Sequence, residues 1–107
     1  MKQMPVLFIG HGSPMNVVNP NPFTNAWGNI AKEVPVPEAI LGISAHWYTQ
    51  GTLLSTAAAP RTIHDFTGFP EALYQVQYPA PGAPKLSRKV LELIGDEIAT
   101  DDQRGLD

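Results

Sequence analysis

Three histidines, His11, His46 and His64, are the nitrogen donors of a chain of 107 residues that contains no cysteine. Disulfides, thiolate metal sites and a cysteine nucleophile are excluded in one step. His11 follows the apolar run Pro5-Val6-Leu7-Phe8-Ile9 and sits between Gly10 and Gly12, which permit tight backbone geometry. His46 lies three residues past Ile43, in a second apolar run from Ala39 to Ala45. Both runs are continuous rather than alternating, the pattern of strands covered on two faces in a parallel sheet. As parallel neighbours they would carry both imidazoles to the carboxyl edge, where open α/β sheets place their ligands. Strands there are ~4.8 Å apart, so the two rings could share a divalent metal at ~2.1 Å each. The ordinary alternative is a surface or capping histidine in each loop, and the residue types leave both readings open.

His64, in Thr62-Ile63-His64-Asp65-Phe66, has an acidic neighbour able to orient a ligand. Adjacent side chains seldom face the same way, however, and a loop histidine bonded to backbone is the simpler reading. Ser13 does not sit in a nucleophile elbow, because Gly-x-Ser-x-Gly is absent around it and everywhere downstream. An oxyanion-hole role for His11-Gly12 therefore has no partner nucleophile. Gly10-His11-Gly12 lacks the third glycine of a dinucleotide loop, as position 15 is methionine. Trp47 and Tyr48 could line a pocket for a planar ring or simply pack against a sheet edge. Trp27 reads as a core residue of its helix.

The elements that must position these groups are partly punctuated by proline. Asn21-Pro22 reads as an N-cap with proline at the first helical position. Phe23, Ala26, Trp27, Ile30, Ala31 and Val34 then mark one helical face, which Pro35 and Pro37 end. With the two apolar runs on either side, this makes a strand–helix–strand unit with room for a crossover. Thr52 to Ala58 reads as a short third strand, and Pro70 to Tyr74 as a helical turn. From Pro84, Leu86, Val90, Leu93, Ile94 and Ile98 predict a second amphipathic helix. Its bases come early and its acids late, against the helix dipole, so tertiary packing must hold it. The fold class expected is α/β, with a mostly parallel sheet flanked by helices.

Composition bounds the rest. The length allows one domain at most. The eleven prolines are about twice the average frequency, which makes many positions turns or loop corners. No segment approaches the ~18 apolar residues of a membrane span, and the short N-terminal apolar run is no secretory signal, so a cytoplasmic location is expected. The net charge of −3 argues against nucleic-acid binding. That acidity is local: residues 1–91 hold six bases against four acids, and the other six acids lie beyond them.

Four segments in order, Phe8-Ile9-Gly10-His11-Gly12-Ser13-Pro14, Ile43-Ser44-Ala45-His46-Trp47, Thr62 to Pro70 and Tyr78-Pro79-Ala80-Pro81-Gly82, resemble the class III extradiol ring-cleavage dioxygenases. The resemblance is to the DOPA 4,5-dioxygenase-like branch and covers essentially the whole chain. It implies a mononuclear non-haem metal, with His11 and His46 matching the first two ligands. It also implies Ser13, Trp47, His64 and Asp65 as residues near the substrate or behind the ligands. Fe(II) is what the oxygen chemistry requires, since zinc has no redox activity, although Zn(II) can occupy a histidine-rich site. The implied reaction opens the ring of a catechol such as DOPA with O₂, beside its two hydroxyls. Family members are much longer. Gly105-Leu106-Asp107 is similar to the start of a family Gly-Leu-Asp-His-Gly segment, so the third ligand and the acid–base histidine are expected beyond residue 107. Residues 1–107 are thus expected to be the N-terminal part of one catalytic domain, inactive alone. Two other functions remain: a non-catalytic module completed by another chain, and a zinc hydrolase with Asp65 as base.

Overall fold

A computed structural model describes residues 3–107. They form two compact units, the first of residues up to Glu38 with Phe66–Val76, the second of Ala39–Asp65 with Gln77–Asp107.

The first unit is helical. Helix α1, Pro22–Glu33, begins where the sequence places it. The Asn21 side chain accepts from the Phe23 and Thr24 amides while the Thr24 hydroxyl accepts from the Asn21 amide. This reciprocal box satisfies donors that a helix start otherwise leaves to water. The amphipathic face is present but uncovered: Phe23 is 70% exposed, and none of the helix's residues is buried. Helix α2, Glu71–Tyr74, packs on the 3₁₀ turn Pro14–Val17 and buries Leu73. Phe66 meets Phe69 edge-on and lies against Tyr74, each pair with ring centroids 5.3 Å apart. The Tyr74 hydroxyl donates to the Phe66 carbonyl, closing the loop between them.

The second unit is built on a parallel pair. Strand β1, Thr52–Ser55, is joined in register to β2, Ile98–Asp101, from Thr52 opposite Ile98 to Ser55 opposite Asp101. Parallel strands need a crossover, and it contains helix α3, Pro84–Ile94. The helix is pinned to β1 by Ser87, whose hydroxyl donates to the Ser55 carbonyl at 3.0 Å, and Val90 beside it is buried. Gly82 lets the chain enter the helix, because a Cβ there would collide with the Ala57 carbonyl. Helices with a parallel sheet make the fold mixed α/β, as expected.

Three expectations are corrected. The runs 5–9 and 39–45 enter no ladder among the described residues, and Val6, Phe8 and Ile43 are at least 95% exposed. A run apolar on both faces needs a neighbour on each edge and a layer on each side, and neither run has them here. The ladder formed among the described residues is instead β1–β2, of which β1 lies in the segment read as a third strand. The second correction concerns α3, which stops at Gly95, so Ile98 belongs to β2 rather than the helical face. The third is that Leu93 and Ile94 are exposed rather than packed.

The Asn21 box makes a direct test of the first unit. Asn21→Ala should cost about 1 kcal/mol, seen as a lower urea midpoint and reduced helical circular dichroism. Asn21→Ser, which restores an oxygen acceptor, should recover most of it.

Candidate functional site

In the first unit His11 is exposed and its loop is tied to the start of α1. The Asn16 amide group donates to the His11 carbonyl at 2.7 Å, and the Asn21 amide group donates to Asn16 Oδ1 at 2.7 Å. The helix cap therefore also fixes the loop that carries the histidine. Gly12 has φ +65°, a left-handed conformation that disfavours a side chain, and a Cβ there would press on Asn16 Nδ2. His11 Nδ1 lies 3.0 Å from the Gly12 carbonyl oxygen. A carbonyl can only accept, so in this contact the ring nitrogen is the donor. Ser13 is engaged as the cap of the following 3₁₀ turn, accepting from the Met15 amide.

In the second unit His46 occupies a turn, is exposed, and its amide donates to the Ser44 hydroxyl. Trp47 is half-buried and Tyr48 is exposed. His64 is half-buried in a loop whose neighbours are bound to the chain's last residues. Thr62 forms a parallel bridge with Leu106, and the Thr62 hydroxyl accepts from the Tyr78 amide. Asp65, read as a possible orienting or basic carboxylate, is paired through Oδ2 with Arg104 at 3.2 Å.

Imidazole nitrogens are donors suited to Fe(II) or Zn(II), so the residue type of His11 and of His46 fits such a metal. Among the described residues no group of three or more His, Asp or Glu side chains is placed to hold a metal ion. An open surface hollow of about 490 Å³, lined by residues 3–6 and 33–35, contains none of the candidate residues.

Residues 5–107 match the family model of the catalytic LigB subunit of aromatic ring-opening dioxygenase. The chain belongs to this family. It is 51% identical over 92 residues to the 4,5-DOPA dioxygenase extradiol of Escherichia coli (strain K12), covering 86% of this chain and 34% of that protein. The proteins of the same name from Mirabilis jalapa and Beta vulgaris are 42% and 38% identical, each match covering 94% of this chain and 40% of theirs. The LigB-family chain therefore spans between a third and two fifths of the length of these relatives.

Asn16, Arg104 and Asp101 support these loops without a clear sequence pattern to mark them. Asn16 has a faint signal, an amide in a Gly- and Pro-rich loop. Asp107 is marked only as part of Gly105-Leu106-Asp107, and neither it nor Arg104 signals its partner, which lies some forty residues away. Asp101 caps the turn leading to them, accepting from the amides of Gln103 at 2.7 Å and Arg104 at 2.9 Å. The Arg104 amide, then that of Gln103, hold its carboxyl below the ordinary value of 3.8, with the Arg104 charge a smaller contribution in the same direction and burial opposing.

A depressed folded-state value stabilises the fold above the unfolded pKa, and that contribution disappears as pH falls through the folded value. The stability difference between wild type and Asp101→Ala should accordingly be constant above pH 5 and shrink in acid. A difference that grows as pH falls would contradict the assignment.

Proposed function

We propose that the full-length protein containing this chain is an extradiol dioxygenase that opens the ring of a catechol such as DOPA, with His11 and His46 as two ligands of a mononuclear non-haem metal. What carries the reading is the identity with proteins named 4,5-DOPA dioxygenase extradiol across most of this chain. The residue type supports it, since imidazole nitrogens are donors that such a metal takes.

Fe(II), when bound, supplies the path for electrons from catecholate to O₂, which zinc cannot provide. Both oxygen atoms enter the ring-opened product, so the reaction balances without an external reductant. The roles of this chain's own residues follow from their chemistry. His11 must stay neutral to donate to the metal. Asn16 and Asn21 hold its loop, so that little ordering is required when the metal binds. Trp47, beside His46, offers an apolar face against which a planar ring can lie. The third ligand and the acid–base group come from outside residues 1–107, which makes 1–107 by itself inactive. Hydrolysis at zinc is the weaker alternative, because its candidate base, Asp65, has its carboxylate occupied by Arg104.

Full-length protein supplied with Fe(II), L-DOPA and O₂ should consume one O₂ per catechol and form a yellow ring-opened product. His11→Ala and His46→Ala should each lower bound iron roughly 10- to 100-fold or more and abolish turnover. Unchanged metal loading in both variants would sink the ligand assignment. Residues 1–107 alone, given the same reagents, should yield no ring-opened product.

A further inference from the structure

The loop carrying His64 is gripped on both sides by residues 104–107. Before the histidine the grip is backbone: the Ile63 amide donates to the Leu106 carbonyl at 2.7 Å, and the Leu106 amide to the Arg61 carbonyl at 2.8 Å. Gly105, buried in this crossing, is required there, since a Cβ would collide with the Arg61 carbonyl and crowd the Ile63 side chain. After the histidine the grip changes to side chains. Asp107 Oδ1 accepts from the Asp65 amide at 2.9 Å, and Arg104 Nη2 donates to Asp65 Oδ2 at 3.2 Å. Arg104 is itself steadied through its amide on Asp101 Oδ1.

Energetics favour a geometric role for this pair over a stabilising one. The Asp65 side chain is 59% exposed, and a pair so open to water contributes only about 0–1 kcal/mol to stability. What the pair fixes is the exit of the chain from His64, where no ladder continues to do so. A loop held on one side only would let the backbone at His64 shift, and reaction rates fall steeply with such misplacement.

We propose that Arg104 is a positioning residue: through Asp65, and together with Asp107, it fixes the loop that carries His64, a residue the extradiol reading sets near the catechol. This rests on the extradiol reading above, so its test carries a readout independent of turnover.

The experiment uses the full-length enzyme with Arg104→Gln, Arg104→Lys, Asp65→Asn, His64→Gln and the doubles Arg104→Gln/Asp65→Asn and Arg104→Gln/His64→Gln. Arg104→Gln should reduce kcat roughly 10- to 100-fold, with metal content and melting temperature little changed. Arg104→Lys should restore part of the loss, and neither double should fall below its more impaired single variant. Hydrogen exchange at the Asp65 amide should accelerate in Arg104→Gln while that at Ile63, held by backbone, does not. Wild-type kinetics in Arg104→Gln would overturn the proposal, whether or not exchange at Asp65 changes. So would a further loss when it is added to His64→Gln, or a lower kcat with exchange at Asp65 unaltered. A wild-type enzyme without ring-cleaving activity would defeat the functional reading instead. In that event unchanged exchange at Asp65 still overturns the clamp, and accelerated exchange upholds its positioning of the loop.

Discussion

The second unit depends on one non-local event, the parallel pairing of residues 52–55 with 98–101. Thr56 and Asp101 at its end are 45 positions apart, and closing so long a loop costs conformational entropy before any contact is gained. Two devices offset that cost. Helix α3 occupies the intervening chain and is fastened back onto β1 by Ser87. Beyond the ladder, the Thr56 amide reaches the Asp101 carbonyl and the Thr62–Leu106 bridge repeats the parallel contact. The loop containing His64 and Asp65 inherits its place from this pairing.

The first unit works by a different economy, with short-range hydrogen bonds. Asn21 caps α1 and also touches Asn16, which holds the His11 carbonyl. A single asparagine thereby couples helix initiation to the loop of a proposed metal ligand. Ser13 and Gly12 serve the same loop, one as a cap and the other through its backbone conformation. Both follow His11 directly in the chain and shape the backbone that carries it.

Both units bury little. Leu73 and Val90 are the buried apolar residues among those described, while Val6, Phe8, Ile43 and Phe23 remain largely exposed. The chain covers only 34–40% of the relatives named above. Polar loops are accordingly better determined here than apolar layers, since a side chain–backbone hydrogen bond needs only its two partners and a core needs every surrounding layer.

What the sequence alone determined is what acts over a few residues. Asn21-Pro22 and Pro35 bounded α1, Pro84 began α3, and the histidine motifs pointed to the family, because caps, prolines and short motifs carry their meaning locally. Strands were legible only in part, since Thr52–Ala58 reads as a strand and contains β1 while Ile98–Asp101 does not read as one. The apolar runs 5–9 and 39–45 looked more strand-like than Thr52–Ser55, yet only the latter found a partner, and pairing is a property of two segments rather than one. The tertiary structure decided that choice. It also decided the Gly12 carbonyl as a partner of the His11 ring, the capping use of Ser13 and the pairing of Asp65 with Arg104. Each of these depends on where a second group comes to rest: for Arg104 that place is set by a chain reversal that no local pattern records, and for His11 by a left-handed turn at Gly12.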